Sequence, residues 1–303
     1  MQTQELISIA SQVRRDILRM VHGCQSGHPG GSLGCTDLLV SLYFDAMNLK
    51  LDVTNDQVVF NMSGLNEDVF FLSNGHISPV LYSVLARRGY FPINELSTFR
   101  KINSRLQGHP TPHEHLEGIR IASGSLGQGL SVAIGVAQAK KLNHDSSVVY
   151  CLMGDGEQNE GQVWEAAMYA PHHKVDNLIA FIDVNGQQID GPTEKIMNNR
   201  DLQLKYEAFG WKVLHVDGHD MACLQSCLAK AKQMLGNDIP VMILMKTEMG
   251  AGVDFMMGSH KWHGVAPNDQ QLEEALSQLS EITAKLKTKI ITTFRAFLTK
   301  KTT

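Results

Sequence analysis

The chain has 303 residues, 43% apolar and 19% charged, with a net charge of −4, a profile that suits a globular protein with a large core in one or two domains. The slight acidity gives no electrostatic case for nucleic acid, and no run of about eighteen apolar residues offers a membrane span. Five scattered cysteines, with no CxxC pair and no metal-ligand spacing, suit reduced thiols in the cytoplasm.

In chain order, residues 3–22 read as an amphipathic helix, without the basic start and cleavage site of a secretory signal. The glycine-rich SGHPGGSLG (26–34) is expected to be a loop. Residues 36–46 return to a helix, with Leu38, Leu39, Leu42 and Tyr43 on one face. A short buried strand at 69–72 runs into Ser73-Asn74-Gly75-His76, and a helix at 79–88 ends at Gly89. Residues 100–125 are loop-rich and hold Gly108-His109-Pro110, and Gly124-Ser125-Leu126-Gly127 follows. Residues 129–142 form a small-residue helix fit for close packing. Strands at 147–153, 177–183, 212–216 and 240–246 then alternate with helices at 162–170 and 220–235. The pattern predicts an α/β fold, a mostly parallel sheet covered by helices on both faces. From Leu272 onward, Leu276, Leu279, Ile282, Leu286, Ile290 and Phe294 recur at helical spacing. This divides the chain into a main domain over 1–270 and an amphipathic helix with its tail over 271–303. That helix either packs on its own domain or docks on a partner.

The chemistry concentrates in residues 148–191. One apolar strand runs into Gly154-Asp155-Gly156, and about thirty residues later a second ends at Asn185. Ligands in open parallel sheets sit beyond the carboxyl ends of the strands. A carboxylate and an amide oxygen at two such ends suit Mg²⁺, which keeps open positions for phosphate oxygens. Gln187 can add its backbone carbonyl, and a helix starting near Glu160 or Gly161 would aim free N–H groups at an anion. Four further loops place a histidine beside a glycine or proline or near one: His28 in SGHPG, His76 in SNGH, His109 in GHP and His263 in WHG. Imidazoles gathered this way suit proton shuttling and hydroxyl-rich or phosphorylated substrates. His172 and His173, after Pro171, read as helix C-terminal capping.

Taken together, SGHPG, LSNGH, GHP, GSLGQG, GDGEQNEGQVWEAA, IDVNGQQIDG and WHG resemble the transketolase family in order and spacing, over roughly residues 8–270. The resemblance is to the amino-terminal, diphosphate-binding half, and so implies the N-terminal subunit of a split transketolase with the thiamine diphosphate-binding fold. It implies thiamine diphosphate and Mg²⁺ as cofactors, with Asp155, Asn185 and the carbonyl of Gln187 on the metal. His76, Gly124, Ser125, Leu126, Gly156, Asn185 and His263 match positions at the cofactor. His28, His109 and His263 match histidines facing the sugar, and Glu160 matches a carboxylate in a network between active sites. Val184 departs from many relatives, and Glu157 receives no role. The implied activity is transfer of a two-carbon ketol unit from a ketose phosphate to an aldose phosphate, as in the pentose phosphate pathway. It would need a partner subunit carrying the pyrimidine-binding half, in a heterotetramer. The nearest alternatives are a deoxyxylulose-phosphate synthase, phosphoketolase or ketoacid dehydrogenase half. A non-catalytic relic of the same fold and a zinc module built on the histidines are more distant.

Overall fold

The computed structural model describes residues 1–50, 53–54 and 57–279. Five parallel strands form the central sheet: β1 (Val69–Leu72), β2 (Val149–Gly154), β3 (Leu178–Val184), β4 (Lys212–Asp217) and β5 (Val241–Lys246), in the order β1-β2-β3-β5-β4. A parallel sheet is buried on both faces, and the sequence provides for this by continuous apolar runs whose alternate residues enter different cores. Tyr150 and Leu152 of β2, Ile179 and Phe181 of β3, and Ile243 and Met245 of β5 face one core. Cys151, Met153, Ala180, Ile182, Met242 and Leu244 face the other.

The first core is covered by α1 (Thr3–Cys24), α2 (Pro29–Gly34), α3 (Thr36–Ser41), α4 (Ser78–Arg88), and, beyond the strands, α8 (Met221–Gln233) and α9 (Asp269–Gln278). The second is covered by α5 (Gly129–Leu142), α6 (Gly161–His172) and α7 (Leu202–Phe209). Helices therefore lie on both faces, as the alternating pattern predicts. The small residues of α5 explain its fit, since Ala133 and Ala137 are fully buried against β2 and β3.

Two local expectations are corrected. Residues 26–34 are not all loop, because Pro29 opens the six-residue helix α2 with His28 as its N-cap. Proline at the first helical position has the required φ already set and lacks only an N–H that would be unpaired there. The helix over 36–46 is α-helical to Ser41 and continues as a π-helical turn over Leu42–Ala46. The widened turn carries Asp45, which accepts hydrogen bonds from the N-terminal amine and from Gln225. At the carboxyl end, α9 packs on α1, with Ala275 and Leu279 in the first core. The continuation of the amphipathic pattern through Ile282, Leu286, Ile290 and Phe294 lies outside the described residues.

Candidate functional site

Register places the strand tips. Gly154 of β2 pairs with Asp183 of β3 and Val184 ends β3 against Lys246 of β5, so Asp155 and Asn185 leave the sheet close together at its carboxyl edge. Asp155 is buried, and its carboxylate accepts N–H bonds from Gly156 and Gly186, both at 2.7 Å. Gly186 adopts φ +71°, which lets its amide turn back toward Asp155. The carboxylate thus lies against the peptide that follows Asn185. Burial, and then the charge of Asp183, push the pKa of Asp155 up to about 7 against the pull of those two amides. Asn185 Oδ1 accepts the N–H of Gln187 at 2.9 Å, and Gln187 lies in a short ribbon pairing Gln187–Gln188 with Gly191–Pro192. The two side chains proposed for the cation and the residue proposed to add a carbonyl are therefore gathered at one place.

The histidines also converge. Ring centroids are 5.1 Å apart for His28 and His76, 5.4 Å for His28 and His263, 5.1 Å for His76 and His263, and 6.3 Å for His28 and His109. They arrive from four separate segments. His76 follows the tip of β1, and His28 is set by α2, where Ser32 Oγ donates to the His28 carbonyl at 2.6 Å. Gly30 draws in the segment bearing His263, since its backbone carbonyl accepts from Gly250 at 2.9 Å and a Cβ there would stand 2.8 Å from the Trp262 carbonyl. His109 packs closely against Gly124. That glycine has φ +133°, and a Cβ would come within 2.7 Å of the imidazole. Burial, reinforced by the charges of His263, Arg100 and His109, lowers His28 to about 4. Burial, reinforced by its three histidine neighbours, lowers His76 to about 3, and His109 and His263 are lowered by burial as well. All four are neutral imidazoles near pH 7, able to donate from one nitrogen and accept at the other.

Ser125 is exposed and Leu126 half-buried on the loop before α5. Gly156 approaches Gln188, and Glu160 occupies the exposed N-cap of α6 beside Gly127. Several buried polar atoms here have no hydrogen-bond partner among the described residues: His28 Nδ1, His263 Nδ1, Asn74 Oδ1 and Ser123 Oγ. Buried polar atoms are nearly always paired, so four in one region fit a polar ligand that supplies the partners. Among the described residues, no group of three or more His, Cys, Asp or Glu is arranged to hold a metal. The Asp155–Asn185 pair, completed by phosphate oxygens, is the arrangement here that fits a hard cation.

Sequence reasoning missed three residues. Asp183 is fully enclosed at the end of β3. Its carboxylate accepts from the Thr247 hydroxyl and from Asn185 Nδ2 at 2.8 Å. Asn199 Nδ2 donates to the Asp155 carbonyl at 2.6 Å. Glu157, in the same turn as Asp155, is buried and bonded to three separate segments. An acidic residue ending an apolar strand was the available signal for Asp183. For Asn199 the partner is distant in sequence and no local pattern marks it. Glu157 stands in the GDGE turn beside Gly154, but its other two partners, Ser73 and Gly127, are distant.

A parallel sheet with an aspartate, an asparagine and converging imidazoles at its carboxyl edge is the architecture of a thiamine diphosphate-binding α/β domain. Known structures share it: the transketolase of Campylobacter jejuni superposes with a TM-score of 0.82 at 33% identity, over 93% of this chain and 43% of that one. The family model "Transketolase, thiamine diphosphate binding domain" matches residues 6–297, and the chain belongs to the transketolase family. It is 36% identical to one of the subunits of the apulose-4-phosphate transketolase of Phocaeicola vulgatus, over 94% of this chain and 98% of the relative. It is 38% identical to the 6-deoxy-6-sulfo-D-fructose transketolase subunit SqwG of a Clostridium species, over 90% and 95%. Against human transketolase the identity is 35%, over 94% of this chain but 44% of that protein. The chain thus spans less than half the length of the full-length transketolases it matches.

Proposed function

We propose that this chain is the thiamine diphosphate-binding subunit of a two-chain transketolase, moving a two-carbon ketol unit from an anionic ketose to an aldose phosphate. The observation that carries the reading is the convergence of His28, His76, His109 and His263 at the sheet edge that presents Asp155 and Asn185. Its near end-to-end match to proteins named as single subunits of transketolases supports a partner chain with the remaining half.

Asp155, Asn185 and the Gln187 carbonyl would hold Mg²⁺, and His76, Gly124, Ser125, Leu126, Gly156 and His263 would line the cofactor. When bound, thiamine diphosphate supplies the electron sink for carbon–carbon cleavage. The neutral imidazoles of His28, His109 and His263 orient the sugar by hydrogen bonds to its oxygens, and give or take a proton as alkoxide charge develops. Glu160, exposed at the start of α6, is free to join a network across an interface. All five cysteines are unbonded, which suits work in the reducing cytoplasm. Relatives are named for apulose 4-phosphate and for a sulfonated fructose, so the donor here is proposed as a ketose bearing a terminal anion.

The test is an assay of the purified full chain with and without a companion polypeptide carrying the other half, in Mg²⁺ and thiamine diphosphate. Ketol transfer is expected only in the mixture. Substantial transfer by this chain alone would refute the two-chain reading, and no transfer by an assembled mixture across ketose phosphates and sulfonates would refute the activity.

A further inference from the structure

Glu157 has no place in the chemistry above, yet it is only 1% exposed. Its Oε1 accepts the hydroxyl of Ser73 and the N–H of Gly127 at 2.7 Å, and its Oε2 accepts the N–H of Gly154 at 3.0 Å. The Ser73 hydroxyl in turn accepts the N–H of Gly129 at 3.0 Å, where α5 begins. One carboxylate therefore joins the tip of β1, the loop before α5 and the tip of β2. Each of these segments leads into a candidate cofactor residue. Ser73 stands three residues before His76, Gly127 ends the loop holding Gly124, Ser125 and Leu126, and Gly154 precedes Asp155.

We propose that Glu157 is a positioning residue that fixes the spacing of these three segments, and with it the cradle for the diphosphate, without touching the cofactor. The inference rests on the thiamine diphosphate reading above. Burial pushes the Glu157 carboxyl pKa up while the bonds from Ser73, Gly127 and Gly154 pull it down. Three donors converging from separate directions call for a side chain that offers acceptors alone, as a carboxylate does. Glutamine at 157 would keep one oxygen but turn an NH₂ toward a backbone N–H, donor against donor. Space is also confined: a Cβ on Gly129 would stand 2.4 Å from Ser73 Cβ, and one on Gly75 would stand 2.4 Å from Ser123 Oγ. A lost hydrogen bond is thus felt as a displacement of the loop.

The experiment titrates thiamine diphosphate in saturating Mg²⁺ against the full chain assembled with its partner subunit, by calorimetry well below the melting temperature. Glu157→Gln is expected to weaken binding about 10–100-fold, the range for groups that orient ligating residues. Ser73→Ala, which keeps the carboxylate and its two amide bonds, should weaken it less. The double variant should bind about as weakly as Glu157→Gln alone, because both act through one network. Trp211→Phe serves as control, since it removes an indole bond to the Ala167 carbonyl under the second core. It should lower the melting temperature and leave the affinity unchanged. If Glu157→Gln does not fold, the affinity of Ser73→Ala decides. Variants that melt earlier but bind as the wild type does would overturn the positioning role and leave the cofactor reading intact. A wild-type assembly that binds no thiamine diphosphate would overturn the cofactor reading, and this inference with it.

Discussion

Asn185 can serve a cation only through its amide oxygen, and two contacts fix the orientation of that amide: the Gln187 N–H on Oδ1 and the Asp183 carboxylate on Nδ2. Asp183 Oδ2 takes the Asn185 Nδ2 at 2.8 Å, while the Thr247 hydroxyl secures the other oxygen. With asparagine at 183, the acceptor for Nδ2 is weakened or reversed and the Asn185 amide can rotate. Asp183→Asn should weaken Mg²⁺ affinity about 10–100-fold, read by calorimetry on the folded chain. An unchanged affinity would show that Asn185 is oriented by other contacts or does not bind the ion. The sequence made Asp155, Asn185 and the histidines legible, because each follows an apolar run or sits beside glycine or proline. Asp183, Glu157 and Asn199 were hidden for a physical reason. Their partners (Thr247, Gly127, the Asp155 carbonyl) lie 64, 30 and 44 residues away, and only the closed sheet brings them within reach.

At the scale of elements, strands were read best, since a strand buried on both faces needs an unbroken apolar run and has little freedom in length. Residues 69–72 were read to the residue, and 178–184 within one. The helices that departed from expectation, α2 and the π-helical end of α3, are short pieces where tertiary packing outweighs propensity. Packing between α1 and α4 supplies a test of stability. Asp16, buried on α1, receives Arg87 Nε at 2.5 Å and Nη2 at 2.9 Å from α4, and the Ser83 hydroxyl at 2.8 Å. Removing one partner of a buried pair leaves the other charge uncompensated, a cost of about 3–5 kcal/mol. Arg87 retains some access to water, with 19% of its side chain exposed, so Asp16→Ala should lose about 3 kcal/mol in urea unfolding. A loss below about 1 kcal/mol, the usual range for exposed pairs, would mean that Arg87 finds solvent or another acceptor.

For the whole molecule, gathering four imidazoles in one partly desolvated cluster, with His28, His76 and His263 half-buried and His109 at its exposed rim, makes stability depend on acid. His76 titrates near 3 in the folded chain but near its ordinary value of about 6.5 when unfolded. Between those values the unfolded chain binds more protons, so stability rises with pH there; it is fully present above about 6.5 and drains away as the pH falls toward 3. His28, titrating near 4, acts in the same direction. Asp155 acts oppositely, because its folded pKa of about 7 lies above the ordinary 3.8. The folded chain then holds the extra proton, and stability falls as the pH rises through that interval. A wild-type curve mixes these contributions, and a histidine variant separates them. His76→Asn keeps a polar side chain but removes one titration. Between pH 7 and pH 5 the wild type should lose about 2 kcal/mol more than the variant, which is 1.36 kcal/mol for each pH unit below 6.5. Unfolding in urea at the two pH values measures it directly. Equal losses in the two proteins would place a charged, solvated imidazole at position 76, and the packed cluster of neutral rings would then not describe the chain in solution.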